Sequence, residues 1–227
     1  MYEFAVDMRR WGDGSAAAIN QISWRAEVLL TRNKDYIAGK RILDLACNKG
    51  QMSYACLELG AEYVVGVEAR KSLINVGLAE FSKLPYAERM SFVEADAIDY
   101  LASIKNGAFD TILCLGFLYH TTRQADFFRE CKRISPETII VESSIAKNYW
   151  WFGRRNFGKP PALFLYSEDP TIDRNTTDTD GIMYFPTRTY LERMFLNIGY
   201  YPSELSYRRA GIKDWTGLAH CKKHRAA

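Results

Sequence analysis

Residues 42–50 read Ile42-Leu43-Asp44-Leu45-Ala46-Cys47-Asn48-Lys49-Gly50, an apolar run interrupted by one carboxylate and followed by a turn of small residues. Helical spacing begins immediately afterwards, at Met52. A buried strand that runs through a tight turn into a helix is the opening half of a βαβ unit. In open α/β sheets such a turn lies at the carboxyl ends of the strands, where a small-residue backbone can approach a ligand.

Working outward, short β-branched apolar runs alternate with longer amphipathic ones. Strands are predicted over Arg41 to Leu45, Tyr63 to Val67, Ser91 to Glu94, Phe109 to Leu115 and Thr138 to Glu142. Helical periodicity fills the intervals Met52 to Leu59, Ser72 to Lys83, Ala97 to Ile104 and Ala125 to Ile134. Right-handed crossovers then give a doubly wound, mostly parallel sheet. After the fifth strand the pattern lapses over Ser143 to Pro186, far beyond the usual α/β loop of about 2 to 6 residues. Tyr149, Trp150, Trp151, Phe152, Phe157, Phe164, Tyr166, Tyr184 and Phe185 are too many aromatics for a linker, so a folded insertion or lid is predicted over 143–186. Regular structure resumes where Thr187 can cap a helix ending near Gly199. Glu204 to Arg208 and Thr216 to Lys222 then alternate as a closing antiparallel pair. Upstream, residues 1–39 form an N-terminal helical extension, with its helix over Ile19 to Leu30, and residues 40–227 form the main domain.

A chain of 227 residues holds one large α/β domain. With 48% hydrophobic and 25% charged residues, disordered, fibrous and membrane classes are excluded. The net charge of +3, from 30 basic and 27 acidic residues, permits nucleic-acid binding without indicating it. The opening MYEFAVDMRRWGDG has no apolar signal segment. No window approaches the roughly 20 apolar residues that span a bilayer, so a cytoplasmic location without a membrane partner is expected. Cys47, Cys56, Cys114, Cys131 and Cys221 are scattered singly, as buried free thiols are. His220-Cys221-Lys222-Lys223-His224 makes a poor ligand cage, and no metal is expected.

The Asp44-to-Gly50 stretch resembles motif I of the class I, Rossmann-like S-adenosylmethionine-dependent methyltransferases, an acidic residue followed by alternating small or glycine positions. Asp44, Ala46, Asn48 and Gly50 stand at those positions, with Ala46 and Asn48 replacing glycines. Asn is the non-glycine residue best suited to positive φ. The other markers follow in order. Gly66-Val67-Glu68 ends the second strand with the acid that, in this family, accepts both ribose hydroxyls. Glu94-Ala95-Asp96-Ala97 follows the third, where the resemblance assigns Asp96 to the adenine amine and the Ala97 amide to a ring nitrogen. Phe109 to Gly116 resembles the fourth-strand motif and brings Leu115 to the cofactor. The resemblance thus implies a seven-stranded sheet with an antiparallel last strand, and S-adenosyl-L-methionine as cofactor. A nicotinamide-dependent dehydrogenase would instead need GxGxxG, which Ala46-Cys47-Asn48-Lys49-Gly50-Gln51 does not supply.

A sulfonium methyl is already activated, so methyl transfer chiefly requires an acceptor held in line with the bond to be broken and shielded from water. If the acceptor is a hydroxyl, His120 is the candidate base, because an imidazole suits proton removal near neutrality. Tyr119 is its neighbour in candidacy. Leu118-Tyr119-His120 is similar to the corresponding segment of wobble-uridine carboxymethyl transferases and of quinone-biosynthesis O-methyltransferases. Trp150, Trp151, Arg154 and Arg155 are the candidate acceptor contacts, an apolar wall with a cationic rim. A small-molecule acceptor methylated on oxygen or nitrogen is expected, with a tRNA base as the alternative acceptor and a non-catalytic scaffold as the alternative role.

Overall fold

A computed structural model of the chain describes residues 5–12, 14–146, 160–167, 181–210 and 213–223. In chain order the elements are α1 (Ala16–Leu29), β1 (Arg41–Leu45), α2 (Gln51–Glu58), β2 (Tyr63–Glu68), α3 (Lys71–Phe81), β3 (Met90–Glu94), α4 (Ala97–Ser103) and β4 (Thr111–Leu115). They continue with α5 (Gln124–Ile134), β5 (Thr138–Ser144), β6 (Leu163–Ser167), β7 (Ile182–Pro186), α6 (Arg188–Asn197), β8 (Tyr200–Ala210) and β9 (Lys213–Lys223). The sheet order is β3-β2-β1-β4-β5-β9-β8, and β6 and β7 form a separate pair. Strands β1 to β5 are mutually parallel. β9 runs antiparallel to both β5 and β8.

Successive residues of each central strand enter opposite layers, as the period of two along a strand requires. Leu43, Leu45, Val65, Val67, Ile112, Cys114, Ile139 and Val141 join the core beneath α4, α5 and α6. Ile42, Val64, Leu113, Leu115 and Ile140 face the other way, into the core made with α1 and α2. Burial on both faces explains why these strands read as continuous apolar runs.

The same second core takes in Val6, Met8 and Trp11. Trp11 sits between Tyr54 of α2 and Phe81 of α3, with ring centroids 5.9 Å and 5.8 Å away. The N-terminal segment is therefore part of the domain's packing.

Polar signals define the helix ends. Ser15 caps α1 by accepting from Ala18 N, Asp96 caps α4 and Thr187 caps α6. β4 begins at Thr111, two positions later than predicted from Phe109. Asp110 turns its carboxylate onto the Arg41 backbone N–H (2.9 Å) and guanidinium (2.8 Å), tying down the amino-terminal edge of the sheet.

Within 143–186, β5 extends to Ser144, and β6 and β7 pair antiparallel from Leu163↔Pro186 to Ser167↔Ile182. Ala146 N donates to Pro186 O, and Gln124 Nε2 of α5 donates to Tyr184 O, so β7 lies across the carboxyl-end loops of the main sheet. Trp150, Trp151, Arg154 and Arg155 lie outside the described residues.

Candidate active site

The strand register brings the sequence markers to one edge. Leu45 of β1 pairs with Val67 on one side and Cys114 on the other, so Ala46, Glu68 and Leu115 stand in adjacent rows. Glu68 in turn pairs with Glu94, two residues before Asp96.

The turn after β1 keeps the backbone that glycines would provide. Ala46, Asn48 and Gly50 have φ of 53°, 58° and 84°. Asn48 supports its left-handed conformation locally, its Oδ1 accepting from Lys49 N at 2.9 Å. Ala46 has no such side-chain bond to offer. The chain around it is held by Cys47 N to Val67 O (2.9 Å) and Gly50 N to Cys47 O (2.9 Å). The motif has thus changed in residues but not in conformation. α3 presses directly on this turn: a Cβ on Gly77 would lie 2.8 Å from Lys49 O.

Asp44 is buried on the α2 side and accepts from Ser53 Oγ at 2.6 Å. Burial pushes its carboxyl up from 3.8 to about 6, against the pull of Ser53 and Arg25. The sign of its effect on stability follows. The folded state keeps this proton to higher pH than the unfolded chain, so the group's contribution is most favourable near pH 4 and falls as pH rises toward about 6. Asp44→Asn is therefore expected to gain stability relative to wild type across that window. Urea denaturation of both proteins at several pH values checks this, and a pH-independent difference would refute it. The Cys47 thiol, also pushed up by burial, is a poor nucleophile at neutral pH.

Glu68 is buried at the end of β2, and its Oε2 accepts the Asn48 N–H at 3.0 Å, clasping the β1 turn. Asp96 is exposed and caps α4 through Oδ1, which accepts from Ile98 N (2.9 Å) and Asp99 N (2.8 Å) and meets Arg123 Nη1 at 3.2 Å. All of these contacts fall on Oδ1, so the capping role leaves Oδ2 for another donor. Ala97 is buried beside it.

Beyond Leu115, Gly116 has φ of 81° and leads into a 3-10 turn, Leu118–His120. Tyr119 and His120 are buried with ring centroids 4.1 Å apart. Phe185 of β7 meets Tyr119 edge-on at 5.5 Å, and Tyr166 of β6 lies 4.6 Å from Phe185. The small sheet is thereby joined to the candidate base through a row of rings.

Two residues that the sequence reading did not select meet at this edge. Arg25 of α1 forks onto Glu142 of β5, with Nε at 3.0 Å and 2.9 Å from the two oxygens and Nη2 also on Oε2. Arg25 Nη2 lies 3.5 Å from where a Gly116 Cβ would be. The one available sequence signal was Glu142 itself, a carboxylate ending the fully apolar run Ile139-Ile140-Val141. Among the described residues, no group of three or more His, Cys, Asp or Glu could hold a metal ion.

The family model described as a methyltransferase domain matches residues 43–138. That span carries the β1 turn, Glu68, Asp96 and the β4 turn, and the match supports a class I S-adenosylmethionine-dependent methyltransferase domain there. The chain is 28% identical over 131 residues to a tRNA U34 carboxymethyltransferase of Idiomarina loihiensis, covering 52% of this chain and 40% of that protein. It is 27% identical over 156 residues to a ubiquinone biosynthesis O-methyltransferase of the same organism, covering 66% of this chain and 63% of that protein. The chain thus spans less than two thirds of the length of either relative. In fold, it resembles the 1,6-didemethyltoxoflavin-N1-methyltransferase of Burkholderia thailandensis, solved with S-adenosylhomocysteine, at a TM-score of 0.61 and 14% identity, covering 90% of this chain and 78% of that one.

Proposed function

We propose that the protein transfers a methyl group from S-adenosylmethionine to an oxygen or nitrogen of a small-molecule acceptor. The observation that carries this reading is the shared carboxyl edge of β1, β2, β3 and β4, with a left-handed turn, a buried carboxylate and a second acid in consecutive rows. These groups fit a nucleoside: backbone N–H groups and small side chains let it approach, Glu68 presents acceptors to a vicinal diol, and Asp96 Oδ2 can accept from an exocyclic amine. The cofactor would supply an electrophilic methyl group. The protein's share is to hold the acceptor in line, exclude water and, for a hydroxyl, accept its proton at His120.

In this reading residues 143–186 cover the acceptor, and the wall Tyr119–Phe185–Tyr166 forms part of its pocket. Trp150, Trp151, Arg154 and Arg155 would contribute further contacts. The domain comprises residues 40–227, with 1–39 as its cover and the β8–β9 pair completing a sheet of seven strands. No helix among the described residues is long and apolar enough to cross a membrane.

A tRNA base is the second reading, favoured by the similarity to a tRNA U34 carboxymethyltransferase. Calorimetric titration with S-adenosylhomocysteine tests the cofactor site first. Binding on the order of −8 kcal/mol is expected, and absence of binding would defeat the enzymatic reading in favour of a scaffold role. Acceptor binding then separates the two substrates: affinity for RNA falls steeply with salt, whereas affinity for a small metabolite does not.

A further inference from the structure

Glu68, the acid to which the proposed function gives the ribose, is already fully engaged. Its Oε1 accepts from the backbone N–H of Arg70 at 3.0 Å and from Arg70 Nε at 2.8 Å. Its Oε2 accepts from Asn48 N at 3.0 Å and meets Arg70 Nη2 at 3.4 Å. A carboxylate offers about four lone-pair positions, and these contacts account for them. The Glu68 side chain is 1% exposed and that of Arg70 26% exposed, so the guanidinium covers the carboxylate from the solvent side.

A vicinal diol donates two hydrogen bonds and has no place on Glu68 while these contacts persist. The backbone donors cannot withdraw without unmaking the β1 turn or the start of α3. The guanidinium can, because Arg70 stands at the N-cap of α3 on a long side chain that reaches water. Its neighbour Lys71 pairs with Glu94 at 2.9 Å and so does not stand in for it.

We propose that the Arg70 guanidinium occupies the ribose-diol position on Glu68 and that a nucleoside binds by displacing it. This rests on the assignment of Glu68 to the ribose. The ion pair keeps a buried carboxylate compensated when no nucleoside is present, and breaking it lowers the net affinity of every ligand that enters. Arg70 thus sets cofactor affinity through Glu68.

The test is calorimetric titration of the full chain with S-adenosylhomocysteine, comparing wild type, Arg70→Met and Glu68→Gln. Arg70→Met is expected to bind about tenfold more tightly, equivalent to about 1.4 kcal/mol, while its urea midpoint falls because Glu68 loses its compensating charge. Affinity equal to or weaker than wild type in Arg70→Met overturns displacement. Should Arg70→Met prove too unstable to purify, Arg70→Gln, which keeps a donor but not the charge, must bind more tightly than wild type. If Glu68→Gln binds as wild type does, the ribose assignment itself fails. If Glu68→Gln loses binding and neither Arg70 variant gains any, only the displacement fails.

Discussion

Replacing Arg25 with Met is expected to lower the unfolding free energy by about 3 kcal/mol at neutral pH, the low end of the range for stripping a buried ion pair of one partner. Glu142 is only 4% exposed and relies on Arg25, whereas Arg25 is 25% exposed and reaches water. The loss should therefore be asymmetric. Glu142→Gln leaves a cation that solvent can partly serve, and it should be the milder change. The double variant should be less destabilised than the two single changes added together, because neither buried charge is then left alone. Urea denaturation of all four proteins closes the cycle, and strict additivity would contradict the pair's coupling. Function should suffer as well, since Arg25 approaches Gly116 and so fixes α1 against the loop that carries His120.

Why Arg25 escaped the sequence reading, when Glu68 and Asp96 did not, is a matter of range. The markers on β1 to β4 are local: each is a few residues past an apolar run, and the order of the runs follows from alternating helix and strand periodicity. The doubly wound, mostly parallel sheet was legible for that reason, with boundary differences such as the late start of β4 at Thr111. Arg25 and Glu142 are 117 residues apart, and nothing in the periodicity of α1 distinguishes Arg25 from a solvated helix residue. Arg70 was equally hidden, since a basic residue next to a strand-end acid reads as an ordinary helix start.

β6 shows a different limit. Phe164 and Tyr166 are half-buried, while Leu165 is 62% exposed. Both phases of the strand are apolar, so the alternation that identifies a half-buried strand is missing from the sequence. The substitutions at motif I were misleading in the opposite direction. Ala46 and Asn48 make the motif look weakened, yet the left-handed backbone is retained at both, because bonds on either side of the turn hold it.

His120→Ala is expected to lower kcat by about 100-fold or more if the acceptor is a hydroxyl, the usual scale for removing a positioned general base. The affinity for S-adenosylhomocysteine should remain within about twofold, because His120 is not among the groups assigned to the nucleoside. The geometry favours His120 over Tyr119 as the base. His120 closes the 3-10 turn after β4, its N–H bonded to Phe117 O at 2.8 Å, so the backbone fixes where the imidazole starts. Tyr119 packs between that imidazole and Phe185, and its ring limits how the imidazole can turn. Tyr119→Phe preserves the ring and should keep most of the turnover, whereas Tyr119→Ala opens the stack and should reduce kcat with the imidazole still present. The pH profile separates a base from a packing residue. The limb of the profile that the base sets should vanish in His120→Ala along with most of the rate, whereas loss of a packing residue would lower the rate and leave the shape of the profile unchanged. Full turnover of His120→Ala across neutral pH would remove His120 from the reaction and point to an acceptor, such as an amine already free of its proton, that needs no base.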